Sequence, residues 1–116
     1  MTNAWVLVVD DERALADLLL GAGREPVGPA ENVAIAIGLI ETSRIDAAIL
    51  DVGLMDEMCY AVAYALRARG IPLMFLTASE RGQLPVDLSD EILIEKPFKA
   101  PLLIDTVRRM AWAATM

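Results

Sequence analysis

Four apolar residues, Ala47-Ala48-Ile49-Leu50, run straight into a carboxylate, Asp51. Asp46 bounds the run on one side and Asp51-Val52-Gly53 on the other. A continuous apolar run this short suits a strand buried on both faces, as in a parallel sheet; a strand with one wet face would alternate. Three other runs end in the same way. Val6-Leu7-Val8-Val9 ends in Asp10-Asp11-Glu12, Leu73-Met74-Phe75-Leu76 in Thr77, and Ile92-Leu93-Ile94 in Glu95-Lys96-Pro97. In open α/β sheets, ligands bind outside the carboxyl ends of the strands. The four runs together predict carboxylates, a hydroxyl and an ammonium along one edge of one sheet.

The segments between these runs read as helices. Leu15, Leu18 and Leu19 predict a helix from about Glu12 to Ala22, ended by Gly21 and Gly23. A second is expected from about Glu31 to Thr42. The alternation Val33-Ala34-Ile35-Ala36-Ile37 imitates a strand, but the length and the alanines favour helix. A third should run from about Glu57 to Arg69, stopped by Gly70. The last should start near Pro101 and reach about Ala113, with Leu103, Val107 and Met110 inward. Strand two is weakly marked, around Pro26 to Gly28, with Pro29 closing it. Ala78 to Asp90 holds Gly82, Pro85 and several charges, with few aliphatic anchors; it predicts a loop or one distorted turn of low local stability. The order is that of an α/β, doubly wound parallel sheet with helices on both faces. Residues 1–116 are expected to form one domain, with no second domain after the last helix.

Composition narrows the function. Hydrophobic residues make up 56% of the chain and mean hydropathy is +0.47. Yet the longest apolar stretches span about nine residues, as from Met58 to Leu66, and a membrane span needs ~18 or more. A sheet covered on both faces explains the excess. The N-terminus enters a strand with no basic region before it, so no signal peptide is expected. One cysteine, Cys59, excludes an internal disulfide and fits a cytoplasmic location. A net charge of −7 argues against direct binding to nucleic acid. The chain has no histidine, which excludes His-based general-base catalysis, His-ligated zinc and a phosphohistidine of its own.

Asp10, Asp11 and Asp51 are three carboxylates on neighbouring strand ends. Gathered together they repel unless a cation joins them, and a hard ion such as Mg²⁺ takes oxygen ligands. Alone, Asp10-Asp11-Glu12 is equally well a helix-capping cluster; Asp51, Thr77 and Lys96 in matching places favour a site. A carboxylate nucleophile can form an aspartyl-phosphate. That chemistry needs a metal, a cation for the phosphoryl oxygens and a small hydroxyl. Asp51, Mg²⁺, Lys96 and Thr77 would supply these parts.

Over its whole length the chain resembles the receiver domain of two-component response regulators. The motifs that carry the resemblance are Val6-Leu7-Val8-Val9-Asp10-Asp11-Glu12, Leu50-Asp51, Phe75-Leu76-Thr77-Ala78 and Glu95-Lys96-Pro97-Phe98. The resemblance implies a flavodoxin-like (CheY-like) fold with five strands in the order 2-1-3-4-5. It implies Asp51 as phosphoacceptor, with Mg²⁺ held by Asp11, Asp51, Asp10 through water, and the Gly53 carbonyl. It further implies Lys96 on the phosphoryl group, a cis Lys96-Pro97 bond, and Thr77 as the switch hydroxyl. The implied partner is a sensor histidine kinase or phosphotransfer protein, the implied activity no more than self-catalysed phosphorylation and dephosphorylation; a homodimer stays open. Val27-Gly28-Pro29-Ala30 and Ala65-Leu66-Arg67-Ala68-Arg69-Gly70-Ile71-Pro72 are similar to stand-alone receivers of alphaproteobacteria.

The chain also departs from the family pattern. Leu93 stands where an inward-turning Tyr or Phe is usual, and the stretch between Thr77 and Lys96 is short, so the fourth helix is expected to be short or irregular. An alternative is therefore a receiver-like interaction module that works without phosphorylation. A phosphatase of the haloacid dehalogenase type is disfavoured. That family places a second Asp two residues after its nucleophile, and Gly53 and Glu12 stand there instead.

Overall fold

The structure is a computed structural model that describes residues 4–10, 14–52, 59–77 and 85–115. Its elements in chain order are β1 (Trp5–Val9), α1 (Ala14–Gly21), β2 (Glu25–Ala30), α2 (Val33–Thr42), β3 (Ala47–Asp51), α3 (Cys59–Ala68), β4 (Leu73–Thr77), a 3₁₀ turn (Val86–Leu88), β5 (Ile92–Glu95) and α4 (Ala100–Thr115). The five strands form one parallel sheet in the order β2-β1-β3-β4-β5. This is the flavodoxin-like arrangement expected from the sequence.

The apolar runs are continuous because each strand feeds two cores. Side chains alternate across a strand. Leu7, Val9, Ala48, Leu50, Leu73 and Phe75 pack on one face with α2 and α3. Val6, Val8, Ala47, Ile49, Met74 and Leu76 pack on the other with Leu15 and Leu19 of α1 and Leu103, Val107 and Met110 of α4. With a helical layer on each side, neither parity can afford polar residues. The helices begin and end on local signals. Asn32 caps α2, its Oδ1 accepting the Ile35 amide hydrogen at 2.9 Å, so α2 starts two residues later than periodicity suggests. Pro101 falls in the first turn of α4, which extends to Thr115.

Strand β2 is longer than its residues advertise. It continues through Pro29 to Ala30 because Gly28 adopts φ +103° and the register against β1 shifts between Leu7 and Val9. The Gly28-Pro29 bond is cis. Past this irregularity Ala30 pairs with Val9, and its carbonyl accepts the Asp10 amide hydrogen at 3.0 Å. Gly28 is required twice over: its φ is left-handed, and a Cβ there would meet Ala30 N at 2.7 Å and Val8 O at 3.0 Å.

The connection between β4 and β5 is partly described. Residues 78–84 of the stretch expected to be a loop or one distorted turn lie outside the described residues, and the rest of it contains the 3₁₀ turn. Leu88 of the turn is fully buried in the α2–α3 core. Tyr64 Oη of α3 donates to Asp87 Oδ1 at 2.9 Å, and Arg67 donates to the Asp87 carbonyl at 2.6 Å. The bond to Asp87 pushes the Tyr64 phenol above its ordinary pKa. Burial pushes the Glu91 carboxyl up, with Arg67 opposing the shift and Asp90 adding to it.

Gly28→Ala should lower stability by about 2–4 kcal/mol, because the positive φ and the backbone collision both fall on one residue. Urea unfolding checks this. A loss below about 0.5 kcal/mol would mean that β2 pairs with β1 in a different register.

Candidate functional site

Register places the polar residues. Val9 of β1 lies opposite Leu50 of β3, so the next residues, Asp10 and Asp51, leave the two strands side by side. Asp51 itself still pairs, opposite Leu76 of β4, and Thr77 follows that partner. Thr77 in turn lies opposite Glu95 of β5, and its carbonyl accepts the Lys96 amide hydrogen at 2.7 Å. Four strand ends thus converge on one edge of the sheet. The Asp10 amide hydrogen bond to Ala30 draws β2 into the same edge.

Among the described residues, the buried polar side chains are Asp10, Asp51 and Thr77, at 5%, 1% and 4% exposure. Among the described residues the core buries polar side chains at one strand edge, which makes that edge the candidate site. Lys96 Nζ donates to Asp51 Oδ2 in a short ion pair. A third of the Lys96 side chain is exposed. The Lys96-Pro97 peptide is cis, as the family resemblance implies.

Of the residues singled out from sequence, Asp10, Asp51, Thr77 and Lys96 are brought together. Asp11 and Gly53 lie outside the described residues. The described part of the site is rich in carboxylate oxygen and the chain has no histidine, a donor set that fits a hard divalent cation and not a soft one. A cleft of about 480 Å³ near the start of α4, lined by Leu93, Phe98 and Leu102 among others, does not include these carboxylates. The sequence reading missed Gly28 and Ala30 as supports of Asp10. The one signal for them was the Gly28-Pro29 pair, a turn-forming dipeptide that reads as a strand end.

Comparison with protein-family models and with curated proteins gives no match. Comparison with solved structures gives many. A CheY-like response regulator receiver domain protein from Methanospirillum hungatei superposes with a TM-score of 0.81 at 20% identity, covering 98% of each chain. A response regulator receiver protein from Sinorhizobium medicae gives 0.79 at 23%, covering 97% of each. SdrG from Sphingomonas melonis is 32% identical over the whole of both chains, with a TM-score of 0.71. The chain belongs to the response regulator receiver family. Membership implies a place in two-component phosphorelay signalling. In this receiver Lys96 pairs with Asp51 at the acidic edge.

That pair is open to a direct test. Lys96→Met removes the ammonium from beside a carboxylate with 1% exposure and should cost about 1–3 kcal/mol of stability, held down by the partial exposure of the lysine. In a double-mutant cycle with Asp51→Asn, measured by urea unfolding, the losses should fail to add by at least ~1 kcal/mol. Simple additivity would mean that the two groups are not energetically paired.

Proposed function

We propose that this receiver accepts a phosphoryl group onto Asp51 from a phosphohistidine on a sensor histidine kinase or phosphotransfer protein. An Asp51 carboxylate oxygen attacks phosphorus. The P–N bond to the donor imidazole breaks, its electron pair returns to that nitrogen, and an acyl phosphate remains on Asp51. The observation that carries this reading is the burial of Asp10, Asp51 and Thr77 on one sheet edge with Lys96 paired to Asp51. Burial spares the nucleophile a full hydration shell. Lys96, already held beside Asp51, can turn its ammonium to an incoming phosphoryl oxygen, and the Thr77 hydroxyl can donate to another.

Mg²⁺ is the cofactor in this reading. Asp10, Asp11, Asp51 and the Gly53 carbonyl would hold it, and when bound it offsets negative charge on the phosphoryl oxygens. The phosphorylated receiver would signal by protein contact or by passing the group onward, in the cytoplasm where histidine kinases present their donors.

A small phosphodonor such as acetyl phosphate with Mg²⁺ should add one group of about 80 Da to the wild type and none to Asp51→Asn, read by intact-mass spectrometry. Full labelling of Asp51→Asn at the wild-type rate would sink the assignment. Asp11→Asn should remove most Mg²⁺ binding in an NMR titration and block labelling; equal affinity in wild type and variant would misplace the metal. One observation favours a second reading, an interaction module that needs no phosphoryl group: Leu93 is an aliphatic residue packed against the core at the usual aromatic position. A wild type that takes up no phosphoryl group from Mg²⁺ and acetyl phosphate would select that reading.

A further inference from the structure

Arg67 is placed to do more than cover the surface of α3. Its guanidinium donates to the Asp87 carbonyl at 2.6 Å and lies 3.7 Å from an Asp90 carboxylate oxygen and 3.5 Å from one of Glu91. One turn earlier on the same helix face, the Tyr64 phenol donates to Asp87 Oδ1 at 2.9 Å. Three acids within five residues repel one another, and the cation drawn among them comes from a different element. Any one exposed ion pair is worth little. Here several contacts fall on one guanidinium and one phenol, and they close over Leu88, the turn's fully buried anchor. Val86, the other apolar residue of the turn, is 90% exposed, so Leu88 is the turn's hold on the core.

Helix α3 comes after Asp51 in the chain, and the turn lies in the connection that leaves Thr77. At its far end the connection enters β5 at Ile92, opposite Met74 near the start of β4 and away from the acidic edge. The turn is therefore held at the start of β5 by the chain itself and at α3 by side chains.

We propose that Tyr64 and Arg67 form a latch that holds residues 85–91 against α3 over Leu88, and that its release is a discrete local opening of this face. Opening breaks the Tyr64 and Arg67 contacts, frees three mutually repelling carboxylates to separate, and withdraws Leu88 from the core. A local opening of this kind frees the turn from α3 without unfolding the sheet. The latch requires neither a metal nor a phosphoryl group, so it stands or falls apart from the role of Asp51.

Three amide hydrogens report on it. Those of Leu88, Ser89 and Glu91 are donated within the turn, to Pro85, Val86 and Leu88. Native-state hydrogen exchange on the unphosphorylated full chain, followed residue by residue by NMR, is the test. In Arg67→Gln and in Tyr64→Phe these three amides should exchange roughly threefold to thirtyfold faster than in wild type, while the Ala48 amide at the sheet centre keeps its rate. Added sodium chloride should speed the same three amides in wild type but not in Arg67→Gln, where screening acts only on the repulsion among the acids. Unchanged exchange in both variants would overturn the latch and leave Leu88 as the whole anchor. Equal acceleration at Ala48 would overturn it too, since Arg67 would then support global stability and not a local opening. A wild type whose three amides ignore salt would remove the ionic part.

Discussion

The carboxylate of Asp51 is held where almost no water reaches it, and much of the architecture follows from making that tolerable. A buried charge needs a partner of opposite sign with good geometry. The partner here, Lys96, is two strands away in the sheet. It reaches Asp51 only if β4 and β5 both keep register with β3, so the pair depends on the backbone ladder from Asp51 to Leu76 and from Thr77 to Glu95. The two helical layers that make the strands apolar also strip water from their ends. Core and site are consequences of the same burial.

Much of this is written locally in the chain. A parallel strand covered on both faces must be apolar at every position, so Ala47 to Leu50 and its three counterparts stand out, and the first polar residue after each marks the edge. Asp51 and Glu95 turn out to be the last residues of their strands, because backbone pairing continues one residue beyond the apolar run. Asn32 and Pro101 carry their helix starts in their own chemistry. What periodicity cannot carry is partnership across distance. That Lys96 answers Asp51, 45 residues away, is a matter of strand order. That residues 85–91 are pinned is hidden for the same reason: their composition is that of a loop, and their hold comes from Leu88 and from two side chains about 20 residues back.

The second strand shows how a local signal misleads. Two prolines in six residues read as an interruption, since proline lacks an amide hydrogen and normally lies outside sheet interiors. At an edge the objection lapses, because only one side of the strand must pair. Gly28 then absorbs the irregularity with a backbone conformation that other residues rarely adopt, and pairing resumes at Ala30 in time to hold the backbone of Asp10.

The same prolines have a consequence for how copies of this molecule meet in solution. The Glu25 amide hydrogen turns inward, to the carbonyl of Ala4, so alternation turns the nitrogen of Pro26 outward, where it has no hydrogen to offer. An open sheet edge is otherwise a template for another chain. This border of the sheet is chemically blunted near the start of β2, and intermolecular strand pairing there would meet a missing donor before it could zip.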